Sequence, residues 1–294
     1  MNDTLRTFLD IQRLPISVGD RWRLFQSFFI LKQRSRIGGQ DWSRMRRFRW
    51  LDYELFTYNY GMSLYLLREI FIHQIYFFAT NSEHPVIFDG GANIGLATLY
   101  FKWQYPDAEV HAFEPDPVAF DLLKRNVEHN HLQNVHCYNF ALYDYDGEIS
   151  FYTDAAQPGH PVMSTIEEHL PKQRISVPCQ RLNPLLRDLG PIDFLKLDVE
   201  GAESAILREL QREGLLSLIR QGNIEYHHNI DDALPNLGWF LNQLEANDFE
   251  YQLQASYAPV SGRRRFQDVY IYFMAGVKAR KSKAGRAEAA ALIP

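Results

Sequence analysis

A run of mostly small residues that could bind a ligand lies at positions 89–95, with the sequence Asp89-Gly90-Gly91-Ala92-Asn93-Ile94-Gly95. It follows a short apolar segment and precedes a helix-like one. Parallel α/β sheets bind ligands beyond the carboxyl ends of their strands, which makes this junction a candidate site. Gly91 and Gly95 let the backbone approach a ligand, and a helix that begins here offers free N–H groups. The acid Asp89 suits an ammonium group better than a pyrophosphate.

Charged residues follow two other predicted strands. Glu114 comes 25 residues after Asp89, where a carboxylate can accept hydrogen bonds from both hydroxyls of a ribose. Further on, Lys196 and Asp198 face the same side of a strand because side chains alternate. A buried lysine needs a partner, which Asp198 or Glu200 can supply. Opposed charges at the mouth of a strand are more typical of a site than of a core.

Strand and helix patterns alternate from residue 85 onward. The predicted strands are 86–89, 109–114, 135–140, 148–153, 175–179, 193–198, 223–227, 249–255 and 268–274. The predicted helices are 94–103, 117–130 (capped by Asp116), 182–189, 203–212 and 234–247. Repeated β–α units predict a doubly wound, mostly parallel sheet with helices on both faces. The two closely spaced strands at the end predict an antiparallel edge.

The regions outside this pattern are assigned separately. Residues 1–84 are predicted to form an N-terminal helical layer, because Trp22, Phe25 and Phe28 recur at helical spacing. The main domain is expected to span 85–275. Residues 276–294, rich in Ala, Lys and Arg, are predicted to be a disordered tail. Residues 154–171, which hold several prolines, are predicted to form a mobile lid over the acceptor.

The sequence resembles the FkbM family of methyltransferases over about residues 69–255. The resemblance depends on Asp-x-Gly-Ala-Asn-Ile-Gly at 89–95 combined with Lys-x-Asp-Val-Glu-Gly-Ala-Glu at 196–203. Supporting parts are Glu69-Ile70-Phe71 with Tyr76, the segment 112–117, Ala141-Leu142 with Asp144 and Gly147, and Ile224-Glu225-Tyr226-His227. It implies a class I, Rossmann-like fold, S-adenosylmethionine as cofactor, and methylation mostly of hydroxyl groups on natural products or glycans.

The resemblance also implies a role for particular residues. The methionine part of the cofactor would be held by Asp89, Gly91, Asn93 and Gly95, the ribose by Glu114, and the adenosine by Asp116 and Ala141. Asp198 would contact the cofactor and, with Glu200, border the transfer site. At Gly90 the family more often has a branched apolar residue, and glycine there would leave the loop looser.

A hydroxyl acceptor must lose its proton near neutral pH, so a general base is required. His227 is the first candidate because histidine titrates near pH 7, and Asp198 and Glu200 are the other catalytic candidates. A structural histidine, bonded to Glu225 or Asp198, is an equally good interpretation of His227. Asp198 and Glu200 supply two oxygen ligands for a divalent ion, but no third is evident, so no metal is predicted.

Charge is unevenly distributed along the chain, whose net charge is −5. Residues 1–52 hold 11 Lys/Arg and 5 Asp/Glu, whereas 53–275 hold 15 and 30. Such a basic arm could bind nucleic acid or anionic lipid, but packing on its own acidic domain is the favoured interpretation. We therefore expect a small-molecule, glycan or peptide acceptor as partner, and no nucleic acid. A homo-oligomer is left open.

The expected compartment is the cytoplasm. Residues 1–20 carry charges throughout and no apolar signal-peptide core. The longest uncharged apolar stretch near the N-terminus, 70–82, is too short to cross a bilayer, so no stable membrane insertion is expected. Two distant cysteines, Cys137 and Cys179, argue against a disulfide framework.

Two other functions fit parts of the sequence. The loop 90–95 can be aligned with a dinucleotide-binding pattern, which would make the protein an NAD(P)-dependent oxidoreductase. Asp89 beside a pyrophosphate would be repulsive, which counts against it. A non-enzymatic membrane-associated or scaffold module using residues 1–52 would leave the charged strand ends unexplained.

Overall fold

The structure is a computed structural model that describes residues 3–38, 42, 44–153, 173–228, 236–255 and 267–276. Its strands are β1 (Arg46–Trp50), β2 (Tyr53–Thr57), β3 (Val86–Gly90), β4 (Glu109–Phe113), β5 (Val135–Tyr138), β6 (Ala141–Leu142), β7 (Gly147–Thr153), β8 (Gln173–Gln180), β9 (Phe194–Leu197), β10 (Gln221–His228), β11 (Phe249–Ala255) and β12 (Gln267–Ala275). Its α-helices are α1 (Asp3–Gln12), α2 (Val18–Gly38), α3 (Tyr60–Leu67), α4 (Leu96–Gln104), α5 (Pro117–His129), α6 (Asn183–Leu189), α7 (Glu203–Arg212) and α8 (Leu237–Ala246). The nine strands and five helices predicted beyond residue 85 are all present, with small shifts at their ends.

The central sheet has seven strands in the order β11-β12-β10-β9-β3-β4-β5. The five strands from β10 to β5 are mutually parallel, and β12 runs antiparallel between β10 and β11. This confirms the doubly wound, mostly parallel sheet, with its antiparallel strand one position in from the edge. From β3 the chain continues to β4 and β5 on one side, and it later forms β9 and β10 on the other side of β3. Ligands bind at such a reversal, beyond the carboxyl ends of the strands.

The two faces of the sheet bury separate cores. On one face Ile87, Val110 and Phe194 pack with α4 and with N-terminal side chains. On the other face Phe88, Leu195 and Leu197 pack against α6, α7 and α8. Because side chains alternate along a strand, neighbouring residues of β3 and β9 serve opposite cores.

The N-terminal layer is not helical throughout, and the prediction of helix across residues 1–84 was wrong for part of it. Residues 46–57 form the antiparallel hairpin β1–β2, and no helix covers 73–84. The cause is burial that alternates along the strand, since Phe48 and Trp50 point into the core while Arg47 and Arg49 face outward. A five-residue π-helix, Arg68–Ile72, continues α3.

The hairpin docks on the main domain through two asparagines of α5. Asn126 Oδ1 accepts from the Phe56 N–H at 2.7 Å, and Asn126 Nδ2 donates to the carbonyls of Phe56 and Ile94 at 3.2 and 2.7 Å. Asn130 makes a similar pair of bonds with the backbone of Glu54. The N-terminal layer is thereby joined to the loop that carries Ile94.

A small sheet in the order β6-β8-β7 lies beside the carboxyl end of the central sheet. The antiparallel pairing of β7 with β8 confirms the added hairpin strand. The predicted lid at 154–171 and the predicted tail beyond Gly276 lie outside the described residues. Among the helices that are described, none combines the length and the apolar character needed to cross a membrane.

Candidate active site

The loop between β3 and α4 is wound by residues with positive φ. Gly91, Asn93 and Gly95 have φ values of 74°, 49° and 88°, and the N–H groups of Gly91 and Ala92 both donate to the Phe113 carbonyl, at 3.0 and 2.9 Å. A Cβ on Gly91 would lie 1.8 Å from the carbonyl oxygen of Asp198. Glycine is therefore required at 91 for the loop to lie against the end of β9.

Gly90 lies close to two leucine side chains, and the expectation that it loosens the loop remains a prediction. A Cβ at this position would lie 2.8 Å from Leu197 Cδ2 and 3.2 Å from Leu142 Cδ1. The space that a branched side chain would take is occupied by these two leucines. These two leucines therefore pack against Gly90.

A buried cation holds the strand ends together. Lys196 Nζ donates to the carbonyls of Gly90 and Gly91 at 3.1 and 2.6 Å. It lies 3.3 Å from Asp89 Oδ1 and 3.8 Å from Asp198 Oδ2. Burial alone would lower the pKa of Lys196, but the two carboxylates hold it above its ordinary value. Lys196 is therefore charged, and it links the loop after β3 to the end of β9.

Asp89 is fully buried. Its Oδ2 accepts from Thr98 Oγ1 at 2.7 Å, and its Oδ1 faces Lys196. Both carboxylate oxygens therefore meet protein groups. These contacts brace β3, β9 and α4, and the assignment of Asp89 to the methionine part of a cofactor remains a prediction.

Glu114 is buried and braces the loop from the end of β4. Its Oε2 accepts from the Asn93 N–H at 2.7 Å, and its Oε1 accepts from the Asp116 N–H at 2.8 Å. Burial raises the pKa of Glu114 to about 8, although both backbone bonds act to lower it. Each oxygen keeps a further lone pair for a hydroxyl donor.

Asp116 is the N-cap of α5, as its sequence position predicts. Its Oδ1 accepts from the N–H groups of Val118 and Ala119 at 3.0 and 2.7 Å, and Thr153 Oγ1 donates to its other oxygen at 3.2 Å. A cap needs this side chain to turn back to its own helix. Its assignment to a cofactor remains a prediction.

A cavity that is partly open to solvent lies between the loop, Glu114 and the end of β9. Six predicted site residues line it, namely Gly91, Asn93, Glu114, Ala141, Asp198 and Glu200. Asp89, Gly95, Asp116 and His227 do not line it. Within the described part of the chain, the buried Asn93 Oδ1 meets no hydrogen-bond donor.

Part of this wall was not found from the sequence. Leu66 and Ile70 come from the N-terminal layer, and Phe140 and Phe151 from the segments around the small sheet. No chemical signal marks them, because apolar residues at these positions are equally typical of a core. Tyr76, whose ring lies 5.6 Å from Lys196 Nζ, also lines the cavity.

His227 is buried between two carboxylates. Its Nδ1 lies 2.8 Å from Glu203 Oε1, and its Nε2 lies 3.2 Å from Glu200 Oε2. Burial alone would lower the pKa of His227, but Glu203 and Glu200 raise it well above its ordinary value. A histidine held as an imidazolium donates protons and does not accept them, which disfavours it as the base. Glu203, an acid in the first turn of α7, was missed as its partner.

Acidic groups gather at the carboxyl ends of β9 and β10. Burial raises the pKa of Glu200 to about 7, against the opposing charge of His227. It also raises the pKa of Glu225 well above its ordinary value, with further contributions from Asp198 and Asp268. Ligand atoms of Asp198, Glu200 and His227 all lie within 4.8 Å of one another. In this geometry His227 Nε2 faces Glu200 Oε2 at 3.2 Å and its ring is cationic, so the lone pair that a metal ligand needs is not available.

Comparison with known proteins shows the family to which this chain belongs. The profile described as "Methyltransferase FkbM domain" matches residues 89–251, a range that holds every predicted site residue. The chain belongs to the FkbM methyltransferase family. Membership favours neither an NAD(P)-dependent oxidoreductase nor a non-enzymatic module.

Two methyltransferases match this chain over two thirds or more of their own length. Methyltransferase sdnD of Sordaria araneosa is 32% identical over 179 residues, which are 51% of this chain and 69% of that protein. The 31-O-demethyl-FK506 methyltransferase FkbM of Streptomyces tacrolimicus is 31% identical over 208 residues, 60% of this chain and 78% of that protein. A crystal structure of methyltransferase FkbM from Methylobacillus flagellatus aligns with 87% of this chain and 60% of that one, at 16% identity and a TM-score of 0.43.

Proposed function

We propose that the protein transfers a methyl group from S-adenosylmethionine to a hydroxyl oxygen of a small-molecule, glycan or peptide acceptor. The proposal rests on the cavity at the ends of β3, β4 and β9. Its wall contains Asn93 Oδ1, which is buried and has no donor among the described residues, and the buried carboxylate of Glu114, which can bind a ribose. The acids Asp198 and Glu200 also line it. The relative from Streptomyces tacrolimicus is named for methylation at an oxygen, which supports the same choice here.

The residues of the cavity fit the cofactor. Asn93 Oδ1, buried and unpaired among the described residues, can accept from the ammonium group of the methionine part. Glu114 has lone pairs left for the ribose hydroxyls, and Ala141 with Phe140 offers an apolar wall to the adenine. Gly91 permits close approach of the backbone. Asp89 acts indirectly, through Lys196 and the loop that Lys196 holds.

When bound, the cofactor supplies a sulfonium-activated methyl group. The protein aligns the acceptor oxygen with that carbon and keeps water out. We propose Glu200 as the group that takes the hydroxyl proton, because its carboxyl lines the cavity and its pKa of about 7 suits a base at neutral pH. His227 would then be a positioning residue that holds the Glu200 carboxylate, and Asp198 would border the acceptor.

The experiment compares cofactor binding and product. Calorimetry with S-adenosylhomocysteine should show binding to the full-length protein, and NAD⁺ should not bind. Asn93→Ala should weaken S-adenosylhomocysteine at least tenfold, whereas Asn242→Ala, an exposed amide on α8, should not. Labelled S-adenosylmethionine and a panel of hydroxylated acceptors should give an O-methylated product by mass spectrometry. Equal affinity in a folded Asn93→Ala variant, or methylation only at nitrogen, would contradict the proposal.

A further inference from the structure

A second group of metal-ligating side chains lies away from the candidate active site. Glu109 and His111 are two residues apart on β4, so their side chains share one face of the sheet. The parallel register pairs His111 with His136 of β5 and with Phe88 of β3. This face is opposite to the one that carries Asp89. Strand alternation and register together therefore place two imidazoles and one carboxylate side by side.

The distances suit a single ion. Glu109 Oε1 lies 3.2 Å from His111 Nε2 and 3.3 Å from His136 Nε2. The rings are stacked, with centroids 4.7 Å apart and planes at 21°. The three ligand atoms all lie within 4.8 Å of one another. Tetrahedral zinc, with bonds of about 2.0–2.1 Å, holds its ligand atoms about 3.4 Å apart, so only small adjustments are needed.

The surroundings also prepare the ligands. His111 Nδ1 lies 3.0 Å from the Tyr138 hydroxyl, which orients the ring so that Nε2 faces Glu109. Metal-binding histidines commonly use their second nitrogen in this way. The His111 side chain is buried. His136 is 49% exposed and Glu109 36%, which leaves a route for the ion.

We propose that Glu109, His111 and His136 bind Zn²⁺, with a fourth position open to solvent. Two imidazoles and a carboxylate favour zinc over magnesium or calcium, which prefer all-oxygen ligands. Zinc would bond to both Nε2 atoms and to Glu109 Oε1, while each ring keeps its proton on Nδ1. For His111 this proton is donated to Tyr138. Glu109 begins β4 and Glu114 follows its end, so the ion would clamp β4 to the edge strand β5 without touching the cavity.

The test is a zinc titration of untagged full-length protein, followed by calorimetry and by the visible absorption of bound Co²⁺. Wild type should bind one equivalent with a tetrahedral Co²⁺ spectrum. His136→Gln and Glu109→Gln should each raise the Kd at least tenfold, and Tyr138→Phe should raise it less. His73→Gln is the matched control. His73 is exposed and pairs with Glu69 at 3.1 Å, so this pair contains one imidazole where the proposed site contains two. It should leave the Kd unchanged.

The outcomes separate a built site from adventitious binding. If zinc does not bind, or if His136→Gln and Glu109→Gln bind it as wild type does, the proposal is wrong. Both substitutions are at partly exposed positions, and far-UV circular dichroism would verify their fold. S-adenosylhomocysteine affinity should be the same in wild type and His136→Gln, since the two sites lie at opposite ends of β4.

Discussion

Lys196 lies opposite Asp89 in the parallel register of β9 and β3, and its ammonium nitrogen is 3.3 Å from Asp89 Oδ1. Both side chains are buried. The same nitrogen bonds the carbonyls of Gly90 and Gly91. One buried ion pair therefore fixes two strands and the loop that begins the cavity.

Removing one member of this ion pair should lower the stability of the protein strongly. Lys196→Met leaves the Asp89 carboxylate buried without its cation, and we expect a loss of about 3–5 kcal/mol in the free energy of unfolding. The double variant Lys196→Met/Asp89→Asn should recover part of that loss, because no charge remains unpaired. Urea denaturation of the single and double variants measures both. Strictly additive losses would show that the two side chains are not coupled.

Gly91→Ala should be far more disruptive than a similar change elsewhere. Gly91 and Gly190 have nearly equal φ values of 74° and 78°. A Cβ at Gly190 meets nothing within 4 Å, whereas one at Gly91 would lie 1.8 Å from the Asp198 carbonyl oxygen. Gly190 has a ψ of −148°, which residues other than glycine rarely adopt at this φ, so Gly190→Ala should cost about 1–3 kcal/mol for its backbone conformation alone. Gly91→Ala should also lose S-adenosylhomocysteine affinity, and comparable stability and affinity in both variants would contradict the close contact.

Methyl transfer should depend on pH through Glu200. A base works in its deprotonated form, and the pKa of Glu200 is raised to about 7 by burial. We expect kcat to rise with pH up to about 7 and then level off. Glu200→Gln should lower kcat by roughly 10²–10⁴-fold with little change in S-adenosylhomocysteine affinity.

A second variant tests the role of His227. Its positive charge lowers the pKa of Glu200, so His227→Gln should move the acidic limb of the profile to higher pH. If His227 were itself the base, the same substitution would remove the limb instead of moving it. The pH profile of kcat, measured at saturating cofactor, distinguishes the two.

The N-terminal layer should be part of one folding unit with the main domain. Phe28 is 1% exposed and shares a core with β3 and α4, whereas its neighbour Phe29 is 44% exposed. Phe28→Ala should cost about 3–5 kcal/mol and Phe29→Ala less than about 0.5 kcal/mol. Removal of residues 1–52 should give an unstable protein. A stable, well-folded truncated protein would show that the layer is dispensable.

The sequence was sufficient for the elements whose pattern is local. Alternating apolar strands, the Pro117 helix start and the Asp116 cap depend on neighbouring residues, and the structure contains all of them. The hairpin β1–β2 was missed although Phe48 and Trp50 alternate with arginines, because a five-residue strand is short beside the helical pattern around it. Its docking on Asn126 and Asn130 joins residues about seventy positions apart, which no local pattern shows.

The same limit applies to the site. The loop 89–95, Glu114 and the acids of β9 were identified as a group because each follows a strand end. What could not be predicted was how the charges pair. Asp89 accepts a hydrogen bond from Thr98 and forms an ion pair with Lys196, and His227 pairs with Glu203 and Glu200. These partners are set by sheet register and helix placement, which no local pattern shows.

The position of β12 has a consequence for synthesis on the ribosome. This strand is the last to be made of those described, yet it lies between β10 and β11 and pairs with both. Until residue 275 has left the exit tunnel, β10 has a free backbone edge next to buried apolar side chains, and β11 has no neighbour in the sheet. Such unpaired edges are where nascent chains associate wrongly. The completed sheet must therefore form after translation of almost the whole chain, and truncation before β12 should yield aggregates even though every residue lining the cavity has already been made.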